Sequence, residues 1–347
     1  MDKDVCMNPS IDFIGDIHGH CEELRALLFK LGYVELAGVF RYPGDERMVV
    51  FLGDYVDRGP QVRETFRLVR AMRDAGSAVA LMGNHEFNML CFWQRNGTGG
   101  WPLKSRDAYL RDHSFNKVAI HSKTVSSFVG RQTEFKEMLD FAKTLPFYLE
   151  TPEFRAQHAC FDFEAVAALQ NAGINSFADG DFDKLIARAN DEENEYGDSL
   201  FAPIDVMLKG PEMDMPSGMH FTDKEGVRRK KARIRWWENP ENSTFQELIF
   251  QPGVQIPDMQ NTDGQASGRC AEIPEWVRTR RYYGENERPV FFGHYWLTGW
   301  PKLMRDNVCC LDYSVATYRG DGLLVAYRFD GEQTLDPSKF VWVESCG

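Results

Sequence analysis

No run in the 347 residues approaches the roughly 20 consecutive apolar positions that a membrane-spanning helix requires, and the opening "MDKDVCMNPS" lacks the apolar centre of a secretory leader. A cytoplasmic location is therefore expected. Thiolate chemistry is equally thin. The eight cysteines, at positions 6, 21, 91, 160, 270, 309, 310 and 346, form no C-x-x-C pair and no regular framework, which favours buried free thiols over disulfides or a thiolate zinc site. Positive charge is in deficit: 40 Lys and Arg against 52 Asp and Glu leave a net charge of −12. That balance argues against broad, sequence-independent nucleic-acid binding, which neutralises phosphates with a basic face. Internal repeats and low-complexity tracts are missing too. What the chain does have is 43% hydrophobic residues, enough to bury a substantial core. Its length suits two average domains or one larger catalytic domain carrying an insertion.

Short apolar runs recur: "IDFIG" (11–15), "MVVFLG" (48–53), "AVALMG" (78–83), "PVFFG" (289–293), "VCCLD" (308–312) and "LLVAYRF" (323–329). Their continuous apolar character predicts strands covered on both faces. Between the early runs lie segments of helical spacing. Leu24, Leu27, Leu28 and Leu31 share one face, and Val62, Phe66, Val69 and Met72 another, with Gly32 and Gly76 placed where helices end. Alternating strands and helices followed by further strands predict layered sheets flanked by helices. From about 163 to 288 the pattern breaks into an acidic run (190–198), a basic run (228–235) and the polar stretch "PGVQIPDMQNTDGQASG", which reads as an inserted subdomain or cap within a single 1–347 catalytic domain.

Three predicted strands end alike. "IDFIG" leads into Asp16 and His18, "MVVFLG" into Asp54 of "GDYVDRG", and "AVALMG" into Asn84 and His85 of "GNHE"; "FRAQHA" and "VFFGH" finish on His158 and His294. Residues just beyond strand carboxyl ends meet in one crevice of an open α/β sheet. Asp16, His18, Asp54, Asn84, His158 and His294 therefore form a candidate ligand set. Carboxylate, amide and imidazole without thiolate suit manganese, iron or zinc. Asp54 is placed to bridge two ions, and two divalent ions about 3.5–4 Å apart activate water and stabilise an in-line phosphoryl displacement.

The series "GDIHGH", "GDYVDRG", "GNHE", the "HA" of His158 and the "GH" of His294 resembles the signature of the calcineurin-like metallophosphoesterase superfamily. "GDYVDRG" is most similar to its branch of phosphoprotein (Ser/Thr) phosphatases and bacterial diadenosine tetraphosphatases. Motif similarity covers about 10–95, 155–160 and 289–330. The resemblance implies an αββα sandwich of two mixed β-sheets flanked by helices, and two divalent metal ions, Mn2+ before Fe or Zn. It implies that Asp16 and His18 bind the first ion, that Asp54 bridges, and that Asn84, His158 and His294 bind the second. His85 would protonate the leaving group, Asp57 would orient its ring, and Arg58 would hold the phosphate beside Asn84 and His85. Two positions depart from the pattern: Trp296 stands where many members carry a second histidine, and Cys160 where relatives commonly have glycine.

The implied activity is phosphomonoester hydrolysis of the Ser/Thr protein phosphatase type by metal-bridging hydroxide. Dinucleoside tetraphosphate or other nucleotide polyphosphate cleavage is the alternative, and an inactive scaffold a third reading. The expected partner is a phosphorylated substrate, phosphoprotein or nucleotide, with no membrane and no nucleic acid. Lys209, Arg233 and Arg235 are candidates for a further phosphate-binding cation by charge only. His20, His113, His121 and His220 lack a strand-end context and are expected at the surface or behind the ligands. Glu86 is expected to fasten the "GNHE" turn. Trp236 and Trp237 either stack against bases or pack the insertion against the main domain.

Overall fold

The computed structural model describes residues 10–97, 109–194, 197–216, 219–222, 228–250, 273–317 and 320–345. The chain divides into two compact units, Met1–Lys209 with Arg288–Gly347, and Gly210–Glu287. Of the expected 163–288 insertion, residues 163–209 thus fall in the larger unit. Strands follow in the order β1 (Ile11–Ile14), β2 (Val34–Leu36), β3 (Val39–Arg41), β4 (Met48–Phe51), β5 (Ala78–Ala80), β6 (Tyr148–Glu150), β7 (Arg155–Gln157), β8 (Glu212–Asp214), β9 (Phe221–Thr222), β10 (Arg228–Arg229), β11 (Lys231–Arg233), β12 (Val290–Phe292), β13 (Val308–Cys310), β14 (Asp312–Tyr313), β15 (Leu323–Phe329) and β16 (Phe340–Glu344). Helices are α1 (Cys21–Lys30), α2 (Val62–Asp74), α3 (Asn84–Trp93), α4 (Phe115–Ser127), α5 (Gln132–Lys143), α6 (Phe163–Ala172), α7 (Phe182–Ala189), α8 (Phe201–Lys209), α9 (Phe245–Leu248) and α10 (Glu275–Arg278).

Two mixed sheets and the β2–β3 hairpin build the larger unit. The first runs β14-β15-β1-β4-β5, with β16 added on β15; β1 is parallel to β4 and antiparallel to β15. The second runs β13-β12-β7-β6, with β12 parallel to both neighbours and β6 antiparallel to β7. Every predicted apolar run supplies strand, but "VCCLD" supplies two. Val308–Cys310 pairs in the second sheet and Asp312–Tyr313 in the first, the chain crossing at buried Leu311. An unbroken apolar run reports burial and carries no mark of a change of sheet.

An aromatic layer joins the sheets. Phe13 of β1 stacks on Phe291 of β12 with ring centroids 3.8 Å apart, and meets Phe154 and Phe329 edge-on at 5.0 and 6.0 Å. These rings are buried, and offset-stacked and edge-to-face pairs add to plain area burial. Helices α1 and α2 pack on β15, β16, β3 and β5. Their buried faces hold the predicted Leu24, Leu27 and Leu28, and Val62, Phe66, Val69 and Met72. Gly32 and Gly76, with φ of 93° and 73°, stand past their ends as expected.

The second unit is small. β8 pairs with β11 and β9 with β10, over a core of Met213, Ala232, Ile234, Phe245, Leu248 and Val277. In the basic run Arg228, Arg229, Lys230 and Lys231 are exposed, and alternation begins at Ala232 and Ile234, which point inward. Trp236 and Trp237 are buried, edge-on to each other at 5.4 Å, with Trp236 also against Tyr283 at 5.6 Å. Buried rings of this kind offer no open stacking face. The polar stretch 252–268 and Cys6, Cys270 and Cys346 lie outside the described residues; the other five cysteines are buried free thiols. Among the described residues no helix is long and apolar enough to cross a membrane.

Because Phe13 fills the contact between sheets, Phe13→Ala should cost about 3–5 kcal/mol of stability, measured by chemical denaturation. A loss below about 1 kcal/mol would mean that the layer repacks and does not hold the sandwich together.

Candidate metal centre

Parallel pairing sends the carboxyl ends of β1, β4 and β5 to one rim, where Asp16, Asp54 and Asn84 follow. The parallel pair β7 and β12 delivers His158 and His294. All six expected ligands are buried. Donor atoms gather in two groups sharing one carboxylate: His18, Asp54 and His85 lie within 4.8 Å of one another, and so do Asp54, His158 and His294. Asp54 divides its oxygens between the groups. Oδ2 lies 3.5 Å from His18 Nε2 and Oδ1 lies 3.4 Å from His158 Nε2. Asn84 Oδ1 approaches His158 Nε2 at 2.9 Å. Asp16 stands beside His294, whose backbone N–H donates to its two carboxylate oxygens at 3.2 and 3.1 Å.

The outer hydrogen bonds decide which ring nitrogens face inward. His18 Nδ1 is 3.0 Å from the Val56 carbonyl, and His158 Nδ1 is 2.8 Å from the Leu52 carbonyl. A carbonyl only accepts, so Nδ1 carries a proton in both rings and Nε2 turns toward Asp54. Burial holds the His18 imidazole well below its ordinary range, and its Nε2 faces Asp54 Oδ2 at 3.5 Å. A cation relieves such an approach. Burial, then the neighbouring Asp312 and Asp54 charges, push the Asp16 carboxyl well above its ordinary range. At His158 burial favours the neutral ring, but the Asp54 charge outweighs it and pushes the imidazole up to about 10. Asp54 is itself held well below the usual carboxylate range: burial opposes this, and His158, His85 and His18 prevail. These carboxylate, amide and imidazole donors fit a pair of divalent cations.

Backbone strain and missing side chains make the gathering feasible. His18, Asp54, Asp57, Arg58, His294 and Trp296 all take positive φ, between 46° and 67°, a conformation costly for residues with a Cβ and concentrated at functional sites. A Cβ on Gly293 would lie 2.0 Å from Asp16 Oδ1, and one on Gly83 would lie 2.3 Å from Asp54 Oδ1. Those two positions leave room for the carboxylates. Glu86 does more than fasten its own turn. Oε2 accepts from the N–H of Asp54 (2.8 Å) and Gly83 (3.1 Å), and Oε1 from Tyr55 (2.8 Å) and Val56 (3.2 Å). One carboxylate thereby ties "GNHE" to "GDYVD". Burial and then the Asp54 charge push Glu86 up to about 7, yet four backbone donors match only the four lone pairs of the ionised form.

His85 Nδ1 lies 2.6 Å from Asp57 Oδ2, leaving Nε2 directed at Asp54 Oδ2, 4.0 Å away. Arg58 lies with its guanidinium carbon 4.3 Å from the Trp296 ring centroid, so the residue replacing a second histidine forms a cation–π platform for the predicted phosphate clamp. Trp296 is held by its backbone N–H donating to Asp312 Oδ2 at 2.8 Å.

His121 is one of the histidines expected at the surface or behind the ligands, and it lies behind Asp57; Thr124 was not singled out from the sequence. His121 Nδ1 lies 2.8 Å from Asp57 Oδ1 and Thr124 Oγ1 donates to the same oxygen at 2.5 Å. A polar pair spaced i, i+3 was the available signal, and a lone His in a helix is too common to act on. His20 pairs with Glu23 at 3.3 Å, and His113 stacks between Phe92 and Tyr109. Lys209 pairs with Asp205, and Arg235 lies over Phe250 within the second unit. Cys160 is buried, as expected of a small core residue.

A mixed-sheet α/β scaffold with two donor groups sharing a carboxylate at its strand ends defines a metal-binding centre. Comparison with known proteins makes the family specific: the calcineurin-like phosphoesterase profile matches residues 9–214, and the chain belongs to that family. The bis(5'-nucleosyl)-tetraphosphatase PrpE (asymmetrical) of Oceanobacillus iheyensis is 42% identical over 86 residues, 25% of this chain and 34% of that protein. The symmetrical bis(5'-nucleosyl)-tetraphosphatase of Psychromonas ingrahamii is 37% identical over 81 residues, 23% of this chain and 25% of that protein. The chain therefore spans about a third or less of the length of these curated relatives. A protein serine/threonine phosphatase from Saccharomyces cerevisiae matches over 99% of this chain and 81% of its own, at 13% identity and a TM-score of 0.41.

Two outcomes test the centre. Metal capture at His158 must displace a proton from a group near 10, so affinity should rise with pH up to that value and fall as pH drops. Calorimetric Mn2+ titration at neutral pH, in buffers of different ionisation enthalpy, should show about one proton or more released per chain; no release would remove His158 from the ligand set. Asp54→Asn should lower bound metal by about tenfold or more in elemental analysis, since it weakens both groups together. Unchanged metal content would contradict the shared role of Asp54.

Proposed function

We propose that the chain hydrolyses phosphoric esters or anhydrides, with a dinucleoside polyphosphate or related nucleotide as its leading substrate class. The observation that carries the reaction is Asp54 shared between two donor groups, with His85, Asp57 and Arg58 beside it. Divalent cations bound there, Mn2+ foremost, would lower the pKa of water and neutralise phosphoryl charge. The protein's own groups do the rest. Arg58 presents forked donors to phosphate oxygens from its Trp296 platform. Asn84, first residue of α3, offers its side-chain amide at the same rim. Asp57 orients the His85 ring so that a proton on Nε2 reaches the leaving-group oxygen as the P–O bond breaks, the ring keeping its Nδ1 proton toward Asp57.

Support for the nucleotide class comes from the relatives, whose aligned segment is short, so the substrate rests on likeness of the motif region. A specific observation favours a second reading, the phosphomonoester of a protein Ser or Thr. An assembled His85–Asp57 acid matters most when the departing group is a poor one such as an alkoxide. Buried, unbridged thiols fit a cytoplasmic setting in either case.

A panel of Mn2+-loaded protein against dinucleoside tetraphosphate, a Ser/Thr phosphopeptide and p-nitrophenyl phosphate separates the readings. The tetraphosphate should give the highest kcat/KM. Preference for the phosphopeptide would install the second reading, and no turnover of any would reduce the chain to a scaffold. His85→Ala should slow an alkyl phosphate about 100-fold or more and p-nitrophenyl phosphate far less; equal losses would take His85 out of the acid role.

A further inference from the structure

The buried positions of α4 are His121 and Thr124, whereas its Phe115, Val118 and Val125 are exposed. That is the reverse of ordinary amphipathic patterning, in which apolar side chains face inward. Both buried polar groups converge on one atom, Asp57 Oδ1: His121 Nδ1 at 2.8 Å and Thr124 Oγ1 at 2.5 Å. Thr124 Oγ1 also accepts from the Asp57 backbone N–H at 2.9 Å. On its far side His121 Nε2 accepts from the indole N–H of Trp93, the last residue of α3, at 2.9 Å. An indole nitrogen only donates, so Nε2 must be bare and the His121 proton must sit on Nδ1, aimed at Asp57.

We propose that His121, its tautomer set by Trp93, is a positioning residue for the proton-donating His85. Resting on the hydrolytic reading above, it fixes the Asp57 carboxylate in rotation. With Oδ1 occupied by His121 and Thr124, only Oδ2 is left for His85 Nδ1, at 2.6 Å. The His85 ring is then held with Nδ1–H on Asp57 and Nε2 toward the reacting phosphate. A carboxylate with one free oxygen and no competing rotamer orients its imidazole more tightly than one hydrogen bond alone. Asp57 has positive φ, and hydrogen bonds from His121 and then His85 hold its carboxyl well below the ordinary range although burial opposes them. Trp93 and His85 both belong to α3, so the chain of contacts Trp93–His121–Asp57–His85 closes on the helix where it starts.

The test uses the full chain, Mn2+-loaded, in three variants. His121→Phe should lose about 10- to 100-fold in kcat on an alkyl phosphate and at most about threefold on p-nitrophenyl phosphate, because only the poor leaving group depends on an aligned acid. His121→Gln, whose side-chain amide can still donate to Asp57, should recover most of that loss. Trp93→Phe should fall between. Equal losses on both esters, at unchanged metal content and melting temperature, would mean a packing role and overturn the proposal; so would no loss. A second measurement is independent of turnover. Imidazole 15N spectra should show His121 protonated on Nδ1 in the natural chain and partly on Nε2 in Trp93→Phe. His121 protonated on Nε2 in the natural chain would overturn the proposal even if no phosphoester is hydrolysed, and that inactivity would by itself count only against the hydrolytic reading.

Discussion

A single buried carboxylate, Asp54, faces imidazoles on both sides, and the surrounding structure answers to that arrangement. Its two oxygens lie near His18 and His158, which come from different sheets of the sandwich. In a low-dielectric interior an isolated charge of this kind is costly unless paired or coordinated. The compensation is spread widely. His85 donates its backbone N–H to Asp54 Oδ1 at 2.9 Å, Glu86 holds the Asp54 backbone, and glycine at 83 leaves room for its side chain. Positive φ at Asp54 places conformational strain at the same residue.

Around Asp54 lie two layers with separate duties. The inner layer holds the lone pairs that face the centre: His18 through Nε2, His158 through Nε2 once its proton leaves, Asn84 and Asp16 through oxygen. The outer layer sets where those lone pairs point, with the Val56 and Leu52 carbonyls fixing two ring tautomers. The His85–Asp57 pair repeats this division beside the centre. His85 faces the site, Asp57 orients it, and α4 and Trp93 hold Asp57 from behind. Such outer partners matter because an imidazole that rotates or changes tautomer loses its function without losing its place.

Rigidity for both layers comes from the aromatic contact between the sheets. Phe13, Phe154, Phe291 and Phe329 bring β1 against β7 and β12, and Asp16, His18, His158 and His294 follow the ends of those same strands. Packing on one side of each strand thereby sets the spacing of donors at its tip. The smaller unit has its own core, and both adjacent tryptophans are buried.

Much was legible in order along the chain. Apolar runs marked the strands, helical spacing marked α1 and α2, and each candidate ligand followed a strand, because burial and alternation are local properties of sequence. Short motifs such as "GDYVDRG" and "GNHE" therefore disclosed the family and marked Asp16, His18, Asp54, Asn84, His158 and His294 as the candidate set. Tertiary structure alone decided the rest. It showed that "VCCLD" spans two sheets, that Glu86 ties two loops together, that Trp296 supports Arg58, and that His121 and Thr124 turn inward on α4. Each of these is a contact between residues far apart in the chain, or a choice of face by a helix whose pattern runs against its burial. Sequence records which groups are available; the angles and distances at which they meet exist only once the sheets have closed.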